Sequence, residues 1–381
     1  MITILIAPDK FKGTLSAREA ADIIAHELLP LKARLIIRPM ADGGEGSSEA
    51  IAELTGMETR HTDARNSAME PIPGGATYHF NPSTRTAAID SSAVLGLGLL
   101  KDGVTSPLHR SSYPLGEALL SIIRKDSPTL LYIGIGGTST VDGGAGFLEA
   151  LGFRFFSLDC ELPHPVTADM LSSITRIIPP QSNIGLPHII ALSDVSVPLV
   201  ADTGNPSSLT FAPQKGATPA EINSLRESLR HLSTLLPSTG GKYDGAGGGL
   251  GYALAAIGAE MVAGSSYLLD MMDIPSISPD IIITGEGSLD SQTELGKAVA
   301  ALADYGTERD IPVIAVGGRV TADFSIPGLA AVFSTQLYPP CGCLNYRTAR
   351  ARLSNASRDI RLWIEQRYDT SHARHRNYPN I

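Results

Sequence analysis

The stretch DIIITGEGSLDSQTELGK, residues 280–297, joins a short apolar run to a loop rich in glycine and acids. Its first part, residues 280–284, has the character of a strand that is covered on both faces, as in a parallel sheet. Six similar runs alternate with helical patterns along the chain, and this alternation predicts an α/β fold with a parallel sheet. The predicted strands are residues 2–7, 34–38, 130–135, 188–192, 280–284, 312–316 and 331–334.

Start signals for helices support this assignment. Ser16 is followed by Glu19 in a capping box, and Thr218 is followed by Glu221 in a second one, with proline at the first helical position. Further helices are expected to open near residue 144 and close at residue 152, and to cover residues 249–262, 293–305 and 344–367.

Residues 57–92 differ from the rest of the chain. They combine prolines and paired glycines with alternating runs at residues 76–80 and 86–90, a pattern that is typical of antiparallel strands. The change predicts that a second domain interrupts the first. We therefore expect a discontinuous domain of residues 1–60 plus 275–381 and an inserted, partly antiparallel α/β domain of residues 61–274.

Composition excludes several classes of protein. The chain has 381 residues, of which 43% are apolar and 18% charged, so a globular protein is expected. A net charge of -9 without a basic face argues against a nucleic-acid partner. Three cysteines form no disulfide framework, and no apolar run approaches the ~20 residues of a membrane span. With no signal peptide recognised, the expected location is the cytoplasm without a membrane partner, and the oligomeric state stays open.

Polar residues gather where the predicted strands end. Ligands of open parallel sheets bind beyond the carboxyl ends of the strands, and six of these ends carry small or acidic residues, often with a lysine close behind. Glycine loops can approach phosphate, lysines neutralise it, and acids hold Mg²⁺ or accept a proton. The pattern predicts phosphoryl transfer, although no Walker A loop and no complete dinucleotide fingerprint is present.

Several of these polar residues allow two interpretations. Asp42 and Glu45 could hold Mg²⁺ or acceptor hydroxyls, or they could be the N-cap and N3 acid of the next helix. Asp142 could contact a ligand or only cap a helix. Lys215 could bind substrate or be a solvated lysine at a loop tip. Asp194 has no turn to stabilise, and it is the leading candidate for magnesium ligand or general base.

The loop at residues 284–297 has its own expectation. Its glycines are expected to turn the backbone away from the strand end, so that Glu286 and Asp290 point toward a ligand. Lys297 would then lie in the first turns of the following helix, near nucleotide phosphate, or it would be an exposed helix lysine.

Eight ordered motifs resemble the bacterial glycerate kinases of the glycerate 2-kinase type. The resemblance covers the chain from its N-terminus to about residue 318. It implies ATP and Mg²⁺ as cosubstrates, D-glycerate as acceptor and 2-phosphoglycerate as the usual product. It also implies two α/β domains, one of them Rossmann-like, with the active site in a cleft between them. The motifs are APDKFKGTLSA, PMADGGEGS, GIGGTSTVDGGAGFLEALG, ALSDVSVPL, FAPQKGATP, GAGGGLGYAL, ITGEGSLDSQTELGKA and PVIAVGG.

The strand-end positions and the resemblance together assign a role to each candidate. The catalytic residues are predicted to be Asp194 and Lys12, and the magnesium ligands Asp42 and Asp194. Substrate is predicted to bind Asp9, Lys10, Asp42, Gly43, Gly44, Glu45 and Lys215. Nucleotide is predicted to bind Gly136, Gly137, Thr138, Asp142, Gly285, Glu286, Asp290 and Lys297.

Three other hypotheses remain at this point. A nicotinamide-dependent dehydrogenase could use the same sheet type, a hydroxy-acid sensor could bind without chemistry, and a kinase could act on a related hydroxy acid. The chain departs from the family at residues 90–92, at Val197 and at residues 201–208, and these departures bear on the choice of substrate.

Overall fold

The structure of the protein is a computed structural model. It describes residues 1–101, 106–182, 184–193, 195–202, 204–237, 241–290, 293, 298–336 and 345–368. The strands are β1 (Thr3–Ile6), β2 (Arg34–Ile37), β3 (Glu58–Thr62), β4 (Ala76–Asn81), β5 (Thr86–Asp90), β6 (Leu130–Gly134), β7 (Arg154–Ser157), β8 (Cys160–Glu161), β9 (Arg176–Ile178), β10 (His188–Leu192), β11 (Glu260–Val262), β12 (Ile281–Leu289), β13 (Val313–Val320) and β14 (Leu329–Ser334). The α-helices are α1 (Ala17–Leu28), α2 (Ser47–Thr55), α3 (Ser92–Leu95), α4 (Tyr113–Asp126), α5 (Ala145–Ala150), α6 (Pro219–Leu235), α7 (Ala246–Ala256), α8 (Gly264–Met271), α9 (Ile274–Ile277), α10 (Ala298–Glu308) and α11 (Tyr346–Arg367).

The chain divides into two compact units. Unit 1 consists of Met1–Asp42 and Ser265–Ile381, and unit 2 of Gly43–Gly264. The sequence had placed the corresponding boundaries at 60/61 and 274/275. All seven strands expected from the sequence are present, and the α/β class is confirmed.

The sheet of unit 1 is parallel throughout. Its strand order is β14-β13-β12-β1-β2, so the order reverses between β1 and β12. In doubly wound sheets the ligand crevice lies at such a reversal, beyond the carboxyl ends of the two strands. The topology of unit 1 therefore predicts a ligand site near the residues that follow β1 and near the C-terminal half of β12.

Apolar side chains of β1, β12 and β13 fill the two faces of this sheet. Ile4, Ile283 and Ile314 pack on one face against helices α1 and α11. Leu289 and Ala315 pack on the other face with Val299 of α10. Helix α1 starts at the predicted capping box of Ser16 and Glu19, which is confirmed. Helices on both faces explain why the strands read as continuous apolar runs.

Strand β12 continues through the glycines at which the sequence predicted a turn. It stays paired with β13 as far as Leu289 opposite Val320, so the expectation of a loop from residue 284 is wrong. The physical reason is close packing. A Cβ at Gly285 would lie 2.2 Å from the carbonyl oxygen of Val316, and one at Gly318 would lie 2.4 Å from that of Gly287. Here glycine permits a close approach of backbones rather than a left-handed turn.

The sheet of unit 2 is mixed, with the order β11-β10-β6-β5-β4-β3. Strands β3, β4 and β5 pair antiparallel, which confirms the prediction for this region, while β5, β6, β10 and β11 are parallel. A second, three-stranded antiparallel sheet has the order β8-β7-β9. The loops that follow β6 and β10 therefore leave the same edge of the larger sheet.

The helices of unit 2 follow the sequence signals with one exception. Gly144 is the N-cap of α5, and Thr218 and Glu221 form the capping box of α6, as expected. The helix predicted over residues 249–262 ends at residue 256 instead, and β11 follows it. Gly258 adopts a φ of +84° between the two, a conformation that ends helices. Among the helices that the structure describes, none combines the length and apolarity of a membrane span.

The close contact of β12 with β13 predicts a cost for any side chain at residue 318. Gly318→Ala should lower the free energy of unfolding by about 1–3 kcal/mol, because the added methyl group forces the two strands apart. Gly98→Ala is the control, since a Cβ there meets no atom within 4 Å. Denaturation in urea measures both variants. Equal midpoints for the two would contradict the proposed packing role.

Candidate active site

Asp9 lies at the strand-order reversal of unit 1. It follows β1 closely, and its backbone N–H donates to the carbonyl oxygen of Gly285 in β12, 2.7 Å away. Only 5% of Asp9 and 9% of Glu286 are exposed. Two acids are therefore buried at the carboxyl edge of adjacent strands, where the fold class places its ligands.

Lys10 and Asp42 add a partly exposed ion pair to this edge. The Lys10 ammonium lies 3.7 Å from a carboxylate oxygen of Asp42, and the two side chains are 19% and 32% exposed. The backbone N–H of Lys10 donates to Asp9 Oδ1 at 2.6 Å. The structure thus brings together four residues that the sequence proposed separately, because the ends of β1, β2 and β12 adjoin.

Carboxyl groups outnumber ammonium groups at this edge of the sheet. Burial raises the pKa of Asp9 to about 8, and the negative charges of Asp42 and Glu286 act in the same direction. The ammonium of Lys10 and the backbone N–H that it donates oppose this rise in pKa. At neutral pH Asp9 therefore keeps its proton. An arriving cation would replace that proton, since a positive charge favours the ionised carboxylate.

Lys12 lies in the loop after β1 and Asp290 directly follows β12, and the two residues have different surroundings. Lys12 is exposed, and its backbone nitrogen would be 3.0 Å from a Cβ at Gly287. Asp290 follows β12 and accepts a hydrogen bond of 3.0 Å from the hydroxyl of Ser288. The backbone of Lys12 and the side chain of Asp290 therefore both lie beside the last residues of β12.

Unit 2 offers a glycine-lined backbone edge instead of a charged one. A Cβ at Gly43 would lie 2.8 Å from Ser193 Cα, and one at Gly136 would lie 2.6 Å from Gly44 Cα. The segment that contains Gly43 and Gly44 therefore runs directly over the ends of β6 and β10. Glu45 reaches the left-handed Gly137, whose added Cβ would be 3.9 Å from Glu45 Cβ. No side chain larger than hydrogen fits at Gly43 or Gly136.

Asp90 caps α2 from the end of β5, and the sequence analysis did not assign it this role. Its carboxylate accepts the backbone N–H of Gly46 at 2.7 Å and that of Ser48 at 2.9 Å. The N-cap position of α2 is Gly46 itself, so the reading of Asp42 and Glu45 as N-cap and N3 acid is wrong. A signal was present, because Asp90 ends a strand and departs from the family pattern.

Thr138 and Lys215 meet beneath the loop that follows β6. The Lys215 ammonium donates to Thr138 Oγ1 at 3.1 Å and to the carbonyl oxygen of Thr140 at 2.8 Å. Lys215 is 5% exposed, so it is not the solvated loop-tip lysine of the alternative interpretation. Burial lowers its pKa to about 7, although the charge of Asp142 opposes the shift.

Asp142 is saturated by hydrogen bonds. It accepts the backbone N–H and the hydroxyl of Ser112, both at 2.7 Å, and the backbone N–H groups of Gly144 and Gly146 at 3.2 and 3.3 Å. Burial raises the pKa of Asp142, and these donors counteract it. Asp142 therefore caps the starts of α4 and α5. Its predicted contact with nucleotide stays a prediction.

Two of the candidates, Asp194 and Lys297, lie outside the described residues. Within the described ranges, no group of three His, Cys, Asp or Glu side chains is placed to hold a metal ion. A metal at either edge would therefore need further ligands, such as water or phosphate oxygens.

The fold is that of an α/β protein with polar residues at the carboxyl ends of its parallel strands, and comparisons with known proteins identify the family. The model of the glycerate kinase family matches residues 4–364. Glycerate 2-kinase of Escherichia coli K12 is 32% identical over 94% of this chain and 96% of its own length. Glycerate kinase of Bacillus cereus is also 32% identical, over the same shares. The solved structure of a protein named as glycerate kinase 2 from Salmonella typhimurium LT2 aligns with a TM-score of 0.78 at 31% identity, covering 96% of this chain and 98% of the other.

The chain belongs to the glycerate kinase family. It is a kinase, and the expectation of an enzyme is confirmed. The hypotheses of a nicotinamide-dependent dehydrogenase and of a non-catalytic sensor are therefore rejected.

The buried acid pair makes a prediction about pH. Between pH 3.8 and about 8 the unfolded chain has released the Asp9 proton that the folded chain still holds, so stability falls as pH rises through this range. Asp9→Asn cannot titrate, and its free energy of unfolding should fall less from pH 4 to pH 8. Urea denaturation in EDTA measures this, with the exposed Asp22→Asn as control. Parallel curves for wild type and Asp9→Asn would rule out the protonated state.

Proposed function

We propose that this kinase phosphorylates D-glycerate with ATP and releases 2-phosphoglycerate and ADP. Membership of the family supports ATP as phosphoryl donor, and the name of the Escherichia coli relative, glycerate 2-kinase, supports the product. The structural observation that carries the proposal is the set of Asp9, Lys10, Asp42 and Glu286 at the strand-order reversal of unit 1. This set offers both an ammonium for an acidic substrate and carboxylates for a cation.

The substrate carboxylate is assigned to the lysines of the loop after β1. Lys10 is partly exposed beside Asp42, and the exposed Lys12 lies two residues further on. A lysine ammonium is a mobile point charge that suits a carboxylate or a transferring phosphoryl group. We assign Lys10 to the glycerate carboxylate and Lys12 to the phosphoryl group, where charge develops during transfer.

Asp42 is the described residue best suited to hold Mg²⁺. Carboxylate oxygens are the ligands that Mg²⁺ prefers, and one or two of them suffice when phosphates and waters complete the shell. The carboxylate of Asp42 is accessible, and the excess of acid around Asp9 favours an added cation. Mg²⁺ bound there would neutralise charge on the transferring phosphates. Asp194 remains the proposed second ligand or the base that accepts the proton of the glycerate hydroxyl.

The glycine edge of unit 2 is assigned to backbone recognition of phosphate or acceptor oxygens. Gly43, Gly44, Gly136 and Gly137 carry no side chains that would cover their backbone, and a backbone donor suits an anionic oxygen. The N–H of Gly136 also donates to the hydroxyl of Ser91 at 3.4 Å, so a ligand there would share or replace that bond. Glu45, next to Gly137, is assigned to an acceptor hydroxyl. In unit 1, Gly285, Glu286, Asp290 and Lys297 complete the proposed nucleotide contacts.

The activity is tested with ATP, Mg²⁺ and a panel of hydroxy acids. We expect release of ADP that depends on D-glycerate, and a product that phosphorus magnetic resonance identifies as the 2-phosphate. A faster reaction with another hydroxy acid would replace D-glycerate by that related substrate. Background ADP release with every acid would refute the proposed function.

The proposed role of Asp42 predicts a change in metal requirement. Asp42→Asn keeps the shape of the side chain but offers Mg²⁺ a neutral oxygen, so the Mg²⁺ concentration at half-maximal rate should rise about tenfold or more. Excess Mg²⁺ should restore part of the rate. Asp22→Asn, on the exposed face of α1, is the control and should behave as wild type. An unchanged Mg²⁺ titration of Asp42→Asn would assign the metal to other residues.

A further inference from the structure

The glycine-rich motif GAGGGLG, residues 245–251, follows no strand of the parallel sheet and has no part in the proposed chemistry. Three consecutive glycines, Gly247, Gly248 and Gly249, adopt φ angles of +63°, +75° and +94°. A Cβ at Gly248 would lie 2.0 Å from the carbonyl oxygen of Thr140 and 2.9 Å from the ammonium of Lys215. The motif therefore brings its backbone against the loop after β6 and leaves room for one buried ammonium.

That ammonium joins three segments of unit 2. Lys215 ends a short 3-10 helix, Pro213–Lys215, and donates to Thr138 Oγ1 and to the carbonyl oxygen of Thr140. The hydroxyl of Thr138 donates in turn to the carbonyl oxygen of Gly247 at 3.0 Å. One lysine thus fixes a side chain and a main-chain carbonyl of the loop that starts with the phosphate-facing glycines.

The backbone of Lys215 is held as firmly as its side chain. The guanidinium of Arg110 donates to the carbonyl oxygen of Lys215 at 2.9 Å and to that of Ser139 at 3.0 Å. Both acceptors belong to the two segments that Lys215 itself connects. Hydrogen bonds from two side chains, those of Lys215 and Arg110, therefore fix the distance between the 3-10 helix and the loop after β6.

Fold stability alone does not explain a lysine at this position. A buried ammonium loses its hydration, and its acceptors here are neutral oxygens. Lys215 forms no ion pair with any residue that the structure describes, and the carboxylate of Asp142 is occupied by donors at the starts of α4 and α5. An apolar chain of equal length would be cheaper to bury. The ammonium must therefore serve the geometry of the loop.

We propose that Lys215 is a positioning residue of the kinase site. Through its hydrogen bonds to Thr138 and Thr140, it holds residues 136–140 in the conformation that binds phosphate. The proposal rests on the proposed function of this edge of unit 2, and it replaces direct contact of Lys215 with substrate. Thr138 belongs to the same hydrogen-bond network, because its hydroxyl accepts from Lys215 and donates to the carbonyl oxygen of Gly247. The ligand would then meet the main chain of Gly136 and Gly137.

Lys215→Met tests the proposal, since it keeps the length of the side chain and removes the ammonium. We expect folding to survive, kcat/KM for ATP to fall about 10- to 100-fold, and KM for the acceptor to stay near wild type. Hydrogen exchange of the amides at residues 136–140 should become faster. Wild-type kinetics together with wild-type exchange would overturn the proposal.

Substitutions at Thr138 keep the proposal testable should Lys215→Met fail to fold. Thr138→Val removes the hydroxyl and should reproduce the kinetic loss, whereas Thr138→Ser retains the hydroxyl and should restore activity. The losses of the two single variants should be less than additive in the double variant, because both remove the contact between Lys215 and Thr138. Additive losses, or a raised KM for the acceptor alone, would instead show that Lys215 touches substrate. Failure of the wild type to phosphorylate any acid would refute the function, while the exchange measurement would still report on the loop.

Discussion

The parallel pairing of β1 with β12 is the constraint on which unit 1 depends. It joins two segments that are far apart in the chain and reverses the strand order at that point. The hydrogen bond from Asp9 to Gly285 continues the pairing beyond the end of β1. Acids that no local pattern would connect are thereby held at one edge, and the raised pKa of Asp9 is the direct electrostatic consequence.

In both units, several glycines allow two segments of the chain to approach closely, although the geometry differs. In β12 and β13 the glycines stay extended and let two strands approach. At Gly43 and Gly136 they let a loop lie directly on the ends of strands, and at Gly248 they leave space for an ammonium. In each case a Cβ would meet backbone within about 3 Å, a distance that cannot relax by a side-chain rotation. These glycines therefore permit close contact of their backbone with a neighbouring segment.

The sequence predicted the fold better than it predicted the site. Apolar runs placed all seven expected strands, and capping boxes placed the starts of α1 and α6, because both signals are local. The extension of β12 through Gly285 was missed, since a glycine beside an acid resembles a turn until its neighbouring strand is known. Burial of Lys215 and capping by Asp90 were missed for the same reason. The hydrogen-bond partners of Asp90 and of Lys215 lie 42 to 105 residues away in the chain, which periodicity cannot reveal.

The two units handle charge in opposite ways. Unit 1 collects carboxylates whose mutual repulsion is relieved in part by Lys10 and by the proton on Asp9, and we propose that this edge takes the metal and the hydroxy acid. Unit 2 buries Lys215 and Asp142 beneath the loop after β6 and leaves glycine backbone at the edge. Phosphoryl transfer requires charge that responds to the ligand and donors that do not move. We propose that the carboxylate cluster of unit 1 supplies the first, and that the backbone held by Lys215 in unit 2 supplies the second. We therefore expect substitutions at Lys215 and Thr138 of unit 2 to act through loop geometry, whereas those at Asp9 and Asp42 of unit 1 act through charge.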